Sequence, residues 1–227
     1  MKKLEEIIGY EFQNEKLLKT ALTHSSFLNE HGLDKTECNE RLEFLGDAVL
    51  ETISSEFLFK NYPENMEGDL SRMRSALVCE KSLCEASRSL QLGAFLRLGK
   101  GMEKEGGRNN DAVLADAFEA LLAALFLDGG MEVAKKLVYS YVLNDTEEKI
   151  LLNDAKTRLQ EMIQKEDRHV SYRLLSASGP DHQKSFTCQA LINDEPFGTG
   201  TGSSKKQAEQ AAAYETIKMI RNNVTCI

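Results

Sequence analysis

Two pairs of carboxylates at helical spacing carry most of the chemistry in this sequence. Glu43 and Asp47 are four residues apart in Glu40-Arg41-Leu42-Glu43-Phe44-Leu45-Gly46-Asp47-Ala48-Val49-Leu50. Asp116 and Glu119 are three apart in Leu114-Ala115-Asp116-Ala117-Phe118-Glu119-Ala120-Leu121-Leu122. On a helix either spacing puts both acids on one face, where like charges repel. Glu40 extends the first face. Taken singly, such a pair is most simply a solvated surface, since charge on a helix usually marks exposure. The second stretch argues otherwise. It is apolar on every side, as a buried helix is, and a buried carboxylate needs a partner to offset its lost hydration.

No lysine or arginine on that stretch can be the partner, whereas a bound cation can. Four carboxylates without histidine or thiolate favour a hard, oxygen-ligated ion, which points to magnesium, with manganese as a substitute. Magnesium keeps several waters and binds phosphate oxygens, which suits phosphodiester hydrolysis. Two such ions ~4 Å apart could orient and deprotonate a water and stabilise the leaving oxygen. A di-iron carboxylate bundle is the rival metal chemistry. It expects Glu-x-x-His, and neither Glu43 nor Glu119 has a histidine three residues on.

The elements that must hold these acids are helices. Residues 1–150 show apolar positions at three- and four-residue steps. Leu17, Leu18, Ala21 and Leu22 form one set, and Leu42, Leu45, Val49, Ile53 and Phe57 a second. Leu114, Ala117, Leu121, Leu122 and Leu125 form a third. Breaks fall at Gly32, Tyr62-Pro63, Gly106-Gly107 and Gly129-Gly130. The polar run Asn144-Asp145-Thr146-Glu147-Glu148-Lys149 precedes a change of style, and the boundary is expected within about four residues of Leu152.

The tail, residues 153–223, predicts helix–strand–strand–strand–helix. Ala155 to Lys165 is helical, with Leu159, Met162 and Ile163 on one side. Val170, Tyr172 and Leu174 alternate at period two, as do Phe186, Cys188, Ala190 and Ile192. Phe197-Gly198-Thr199-Gly200 begins a third strand. Ser203 or Ser204 can cap a final helix through Ala208, Ala211, Ala212, Ile217 and Ile220. The fold class is therefore mainly α: an all-helical domain (1–150) followed by a small α+β domain.

The charge distribution separates the two parts. Residues 1–150 hold 18 basic and 27 acidic residues, a net of −9, while residues 151–227 hold 10 and 9, a net of +1. No window offers ~18 consecutive apolar residues, so no membrane span is expected. The amphipathic, acidic start lacks a secretory core. Cys38, Cys79, Cys84, Cys188 and Cys226 form no C-x-x-C pair, so zinc is not signalled and free thiols in the cytoplasm are expected.

The acidic segments resemble ribonuclease III, in its bacterial two-domain form. Glu40 to Ala48 matches the family's signature segment throughout. Ala21-Leu22-Thr23-His24-Ser25-Ser26, Glu67-Gly68-Asp69-Leu70-Ser71 and Leu114 to Ala120 match in order. The resemblance implies a magnesium-dependent endonuclease for double-stranded RNA, with no small-molecule cofactor. Glu43, Asp47, Asp116 and Glu119 match the family's catalytic carboxylates and metal site. Glu43, Asp116 and Glu119 would hold magnesium, and Asp47 and Glu119 would position and activate the water. Glu40, Glu67 and Lys104 match auxiliary positions near the scissile strand. His24 is expected to end or cap a helix and not to touch substrate, because Ser and Thr neighbours favour local capping. The resemblance also implies a homodimer with one site per subunit, leaving 5′-phosphates and short 3′ overhangs. It implies processing of ribosomal, messenger and transfer RNA precursors.

The tail resembles a double-stranded-RNA-binding domain. Such domains read the wide minor groove of A-form RNA by shape. Thr157, Gln160 and Gln164 would face a minor groove, and the loop Gly179-Pro180-Asp181-His182 would enter the next. Lys205 and Lys206 would meet phosphates at the start of the last helix. The loop is thinly basic, so modest affinity and a shallow salt dependence are expected. Two other readings use the same residues. One is a regulatory protein that grips double-stranded RNA without cutting it. The other is a helical scaffold that acquired an RNA-binding tail. Clustered acids near phosphates argue against a pure binder.

Overall fold

The computed structural model describes residues 2–32, 34–180 and 184–224. It divides into two compact units, Met1–Thr146 and Glu147–Ile227.

The first unit is helical. Its helices are α1 (Lys2–Ile8), α2 (Glu15–Ala21), α3 (Ser25–His31), α4 (Glu40–Asn61), α5 (Glu67–Leu77), α6 (Glu80–Ser89), α7 (Lys100–Lys104), α8 (Asp111–Gly129) and α9 (Met131–Tyr141). Local chemistry sets several ends. Asn14 Oδ1 accepts from Lys16 N to start α2, and Asn110 Oδ1 accepts from Val113 N to start α8. Gly32 closes α3 at φ 61°, and Gly130 follows α8 at φ 81°, both conformations that favour glycine.

α8 is the axis of this unit. Leu114, Ala117, Phe118, Leu121, Leu122 and Leu125 are all buried, and α2, α4, α6 and α9 pack around it. That explains why the middle of this helix, between Asp111 and Asp128, carries no polar residue apart from Asp116 and Glu119. No helix among the described residues is long and apolar enough to cross a membrane. Cys38, Cys79, Cys84 and Cys188 are free thiols; Cys226 lies outside the described residues.

The second unit contains α10 (Thr146–Asn153), α11 (Ala155–Gln164), β1 (Val170–Ser178), β2 (Ser185–Ile192), β3 (Glu195–Gly202) and α12 (Lys205–Val224). The strands form an antiparallel sheet in the order β1-β2-β3. One core joins Leu151, Leu159, Ile163, Ala190, Ile192, Ala212 and Ile217. Because Leu151 of α10 packs into this core, the division falls at Thr146, a little before the Leu152 region where composition changes. The alanines of α12 let it lie directly on β3: a methyl at Gly200 would come within 2.2 Å of Ala212 N. Ser204 Oγ accepts from Gln207 N at 3.2 Å, and Gln207 Oε1 accepts from Ser203 N at 3.1 Å, so both serines take part in starting α12.

The period-two pattern misplaces one residue. Leu174 was expected inside with Val170 and Tyr172, yet it is exposed, as is Leu175. The β1–β2 register shifts between Leu174 and Ser176. The bulge lies beyond Leu174, which still pairs with Cys188, so it breaks the alternation only from Leu175 on; Leu174 is exposed with the rest of β1 from Arg173 onward.

Candidate active site

α4 and α8 meet at a point where α4 has no side chain. A methyl at Gly46 would lie 1.9 Å from the carbonyl oxygen of Glu119. Glycine is thus required for the two backbones to come this close. The approach sets Glu43 and Asp47, on either side of Gly46, against Glu119 and its neighbour Asp116 one turn earlier.

The start of α4 is anchored as well. Asn39 N donates to Thr23 O at 2.8 Å, Arg97 N donates to Leu22 O at 2.7 Å, and His24 N donates to Arg97 O at 3.1 Å. His24 caps α3, its Nδ1 accepting from Ser26 N, in the role expected of it.

Carboxylate oxygens of Glu43, Asp116 and Glu119 lie within 4.8 Å of one another, and all three groups are half-buried. Among the described residues no lysine or arginine forms an ion pair with them. Their proton affinities record the result. Burial, then the charges of Asp47, Glu43 and Asp116, push the Glu119 carboxyl up to about 8. Burial, then Asp116, Glu40 and Asp47, raises Glu43. Burial also raises Asp116, with His24 opposing the rise and Glu80 adding to it.

Burial raises all three, and at Glu43 and Glu119 neighbouring acids add to it, so positive charge brought to the cluster would be stabilising. The donors are all carboxylate oxygens, which fits a hard divalent cation and not a soft one.

The other expected residues are placed as follows. Asp47 is exposed and stands outside the converging three, although its charge is felt at Glu119. Glu40 is exposed at the first turn of α4. Glu67 opens α5 and accepts from Ser71 Oγ at 2.9 Å. Lys104 ends α7. Glu67 and Lys104 are exposed, and among the described residues neither bonds to the three acids.

In the second unit, Thr157, Gln160 and Gln164 are exposed along α11, and Lys205 and Lys206 are exposed at the start of α12. His182 lies outside the described residues.

Sequence reading did not single out three contributors. Gly46, a glycine inside a helical pattern, was the available signal. Glu80 and the electrostatic role of His24 have no local signal, because both depend on which helices pack together.

Comparison with known proteins places these features in a family. Residues 14–146 match a family profile described as Ribonuclease-III-like, and residues 155–220 match the double-stranded RNA binding motif. The chain is 47% identical over 221 residues to Ribonuclease 3 of Caldanaerobacter subterraneus subsp. tengcongensis, covering 96% of each chain. It is 46% identical to Ribonuclease 3 of Streptococcus gordonii, covering 100% of both. Among solved structures it is similar to the nuclease domain of ribonuclease III from Campylobacter jejuni, reported with structural flexibility in a region involved in dimer formation. That match has a TM-score of 0.58 and 42% identity, covering 63% of this chain and 96% of that one.

Proposed function

Since the chain belongs to the ribonuclease III family and is an endoribonuclease for double-stranded RNA, we propose that Glu43, Asp116 and Glu119 hold magnesium at the cleavage site. The observation that carries this reading is the convergence of three half-buried carboxylates with no basic partner. When bound there, magnesium supplies positive charge for the phosphate oxygens and acidifies water; manganese, equally hard, serves as a substitute.

The chain's own residues do the rest. Glu43 and Asp116 hold their places through the α4–α8 crossing. Glu119, the most buried of the three acids and adjoining Asp47, would with it position the attacking water and accept its proton. Asp47, exposed beside it, orients that water from the open side. Glu40, Glu67 and Lys104 are exposed on the same unit and act as auxiliary contacts to the scissile strand. In the tail, Thr157, Gln160, Gln164 and His182 meet the minor grooves, and Lys205 and Lys206 meet phosphates.

The enzyme works as a homodimer, so that two sites cut the two strands. Support comes from the surface of the signature helix. Phe44, on α4, is 82% exposed. A largely apolar cleft of about 680 Å³, lined by Leu58, Phe59, Met66, Glu67 and Leu70, opens between α4 and α5. Two-fold pairing would seat Phe44 of each copy in the cleft of the other, a self-complementary arrangement. The products are 5′-phosphate ends with short 3′ overhangs, and the substrates are ribosomal, messenger and transfer RNA precursors in the cytoplasm. The free cysteines agree with a reducing compartment.

An end-labelled RNA duplex incubated with magnesium or with chelator tests the proposal. Staggered cuts on both strands that need magnesium are expected. Binding without cutting at every magnesium and manganese level would turn the chain into the non-cleaving RNA-binding protein.

A further inference from the structure

A second charged cluster joins the two helices of the C-terminal unit. Lys156 Nζ, in the first turn of α11, lies 2.5 Å from Glu209 Oε2, and Lys205 Nζ lies 4.0 Å from the other oxygen of Glu209. The Glu209 side chain is only 15% exposed. The backbone N–H of Lys156 donates to Gln210 Oε1 at 2.8 Å. Such an N–H at a helix start has no partner within its own helix, so α12 supplies the cap for α11.

The Lys156 ammonium also sits 4.8 Å from the ring centre of Tyr172, on β1. The Tyr172 hydroxyl is buried without a hydrogen-bond partner among the described residues, and burial together with Glu209 pushes it up to about 12. One carboxylate therefore ties the first turn of α11 to the first turn of α12, over the sheet.

Its location is costly for RNA affinity. An acid one turn from Lys205 repels phosphate, and it engages two of the ten basic residues of the tail. A pure charge effect would be removed by any neutral residue. The geometry points to a different purpose. We infer that Glu209 is a positioning residue for duplex RNA. Through Lys156 it fixes the spacing between the α11 face bearing Thr157, Gln160 and Gln164 and the α12 start bearing Lys205 and Lys206.

The inference rests on the proposal that these two faces contact RNA. A-form RNA presents minor groove and flanking phosphates at fixed separation. Two contact elements held at that separation bind without paying to be ordered first. If they slide, the competent arrangement is only fractionally populated, and the apparent affinity falls by that fraction.

The test uses the full chain in chelator, so that RNA stays intact. Its probes are an RNA duplex of about 20 base pairs, longer than the ~16 one such unit spans, and heparin as a polyanion without A-form shape. Glu209→Gln removes a negative charge. Glu209→Gln should nevertheless weaken duplex binding by roughly fivefold, as loss of a coupled pair would, while heparin binding holds or strengthens.

Lys156→Met should weaken duplex binding similarly, and the double variant should lose little more than the worse single variant. The circular dichroism of each variant is measured alongside. If Glu209→Gln is unfolded, Lys156→Met carries the test through the ratio of duplex to heparin affinity, which must fall. Tighter duplex binding by Glu209→Gln in step with heparin would make Glu209 a mere electrostatic brake and overturn the inference. Unchanged duplex binding would overturn it too. A wild-type chain that binds the duplex no better than heparin would instead defeat the RNA-contact premise, and the inference with it.

Discussion

The two units each bury carboxylates between helices, and they do so in opposite ways. At the α4–α8 crossing, Glu43, Asp116 and Glu119 face one another with no basic partner among the described residues, and all three hold protons more tightly than usual. Between α11 and α12, Glu209 is flanked by Lys156 and Lys205. The first arrangement is incomplete and must draw in positive charge from outside. The second is closed on itself and contributes geometry. On the proposed function, catalysis is housed where the fold tolerates repulsion, and RNA recognition where charges are already satisfied. This also explains how a chain of net charge −8 can work on a polyanion: the acidic face awaits cations, and the tail reads shape more than it attracts charge.

The strongest way to break this contrast is to remove one acid from the open cluster. Glu119→Gln keeps the shape and deletes the charge. Cleavage should fall by roughly 10³-fold or more, the scale expected for loss of a proton-transferring group, while duplex binding in chelator stays within about twofold, since the proposed groove and phosphate contacts lie on the second unit. Single-turnover cleavage and a gel-shift titration measure the two. If RNA affinity falls along with cleavage, the division of labour between the units is wrong.

Next in size is the contact that creates the cluster. Gly46→Ala puts a methyl 1.9 Å from a backbone oxygen of Glu119, and backbone cannot yield as a flexible side chain would. A destabilisation of about 3 kcal/mol is expected from such overpacking, with a lower magnesium affinity in whatever fraction remains folded. Denaturant unfolding and metal titration read the two effects. Near-wild-type stability and metal binding would show that the helices approach without needing glycine.

Much of this was legible in the sequence, for a physical reason. Asp116 and Glu119 stood out because the middle of α8, between Asp111 and Asp128 near its ends, is otherwise apolar all round, and a helix of that kind belongs in a core. The tail's element order was legible because period two gives way to period 3.6 within a few residues. What escaped depends on contacts across long sequence separations. Nothing near Gly46 says that Glu119 will lie against it. Nothing near Glu80 says that its charge reaches Asp116. Nothing in the run Lys205-Lys206-Gln207-Ala208-Glu209 says that the glutamate pairs with Lys156 on another helix. The exposure of Leu174 escaped for another reason: period two tells which face a residue shares, not how far along the strand that face stays covered, and β1 is exposed from Arg173 onward.

The smallest expected effect sharpens the contrast through pH. Without metal, the folded chain holds a proton on Glu119 up to about pH 8, whereas the ordinary value of such a carboxyl is 4.5. Between these values the native state binds a proton that the unfolded chain releases. Its stabilising contribution is therefore complete below the lower value and is lost as pH rises through the upper one. The raised carboxyls of Glu43 and Asp116 act with the same sign.

Magnesium acts in the opposite sense, since it needs the deprotonated oxygens and stabilises the state that binds it. In chelator the thermal midpoint of the first unit should fall by roughly 2–4 °C between mildly acid and mildly alkaline pH. Magnesium should restore it at the alkaline end and do little at the acid end. Glu119→Gln should flatten the chelator profile, whereas Glu209→Gln, in a cluster already neutralised, should leave it unchanged. A profile equally steep in both variants would mean that the repulsion resides elsewhere than between α4 and α8.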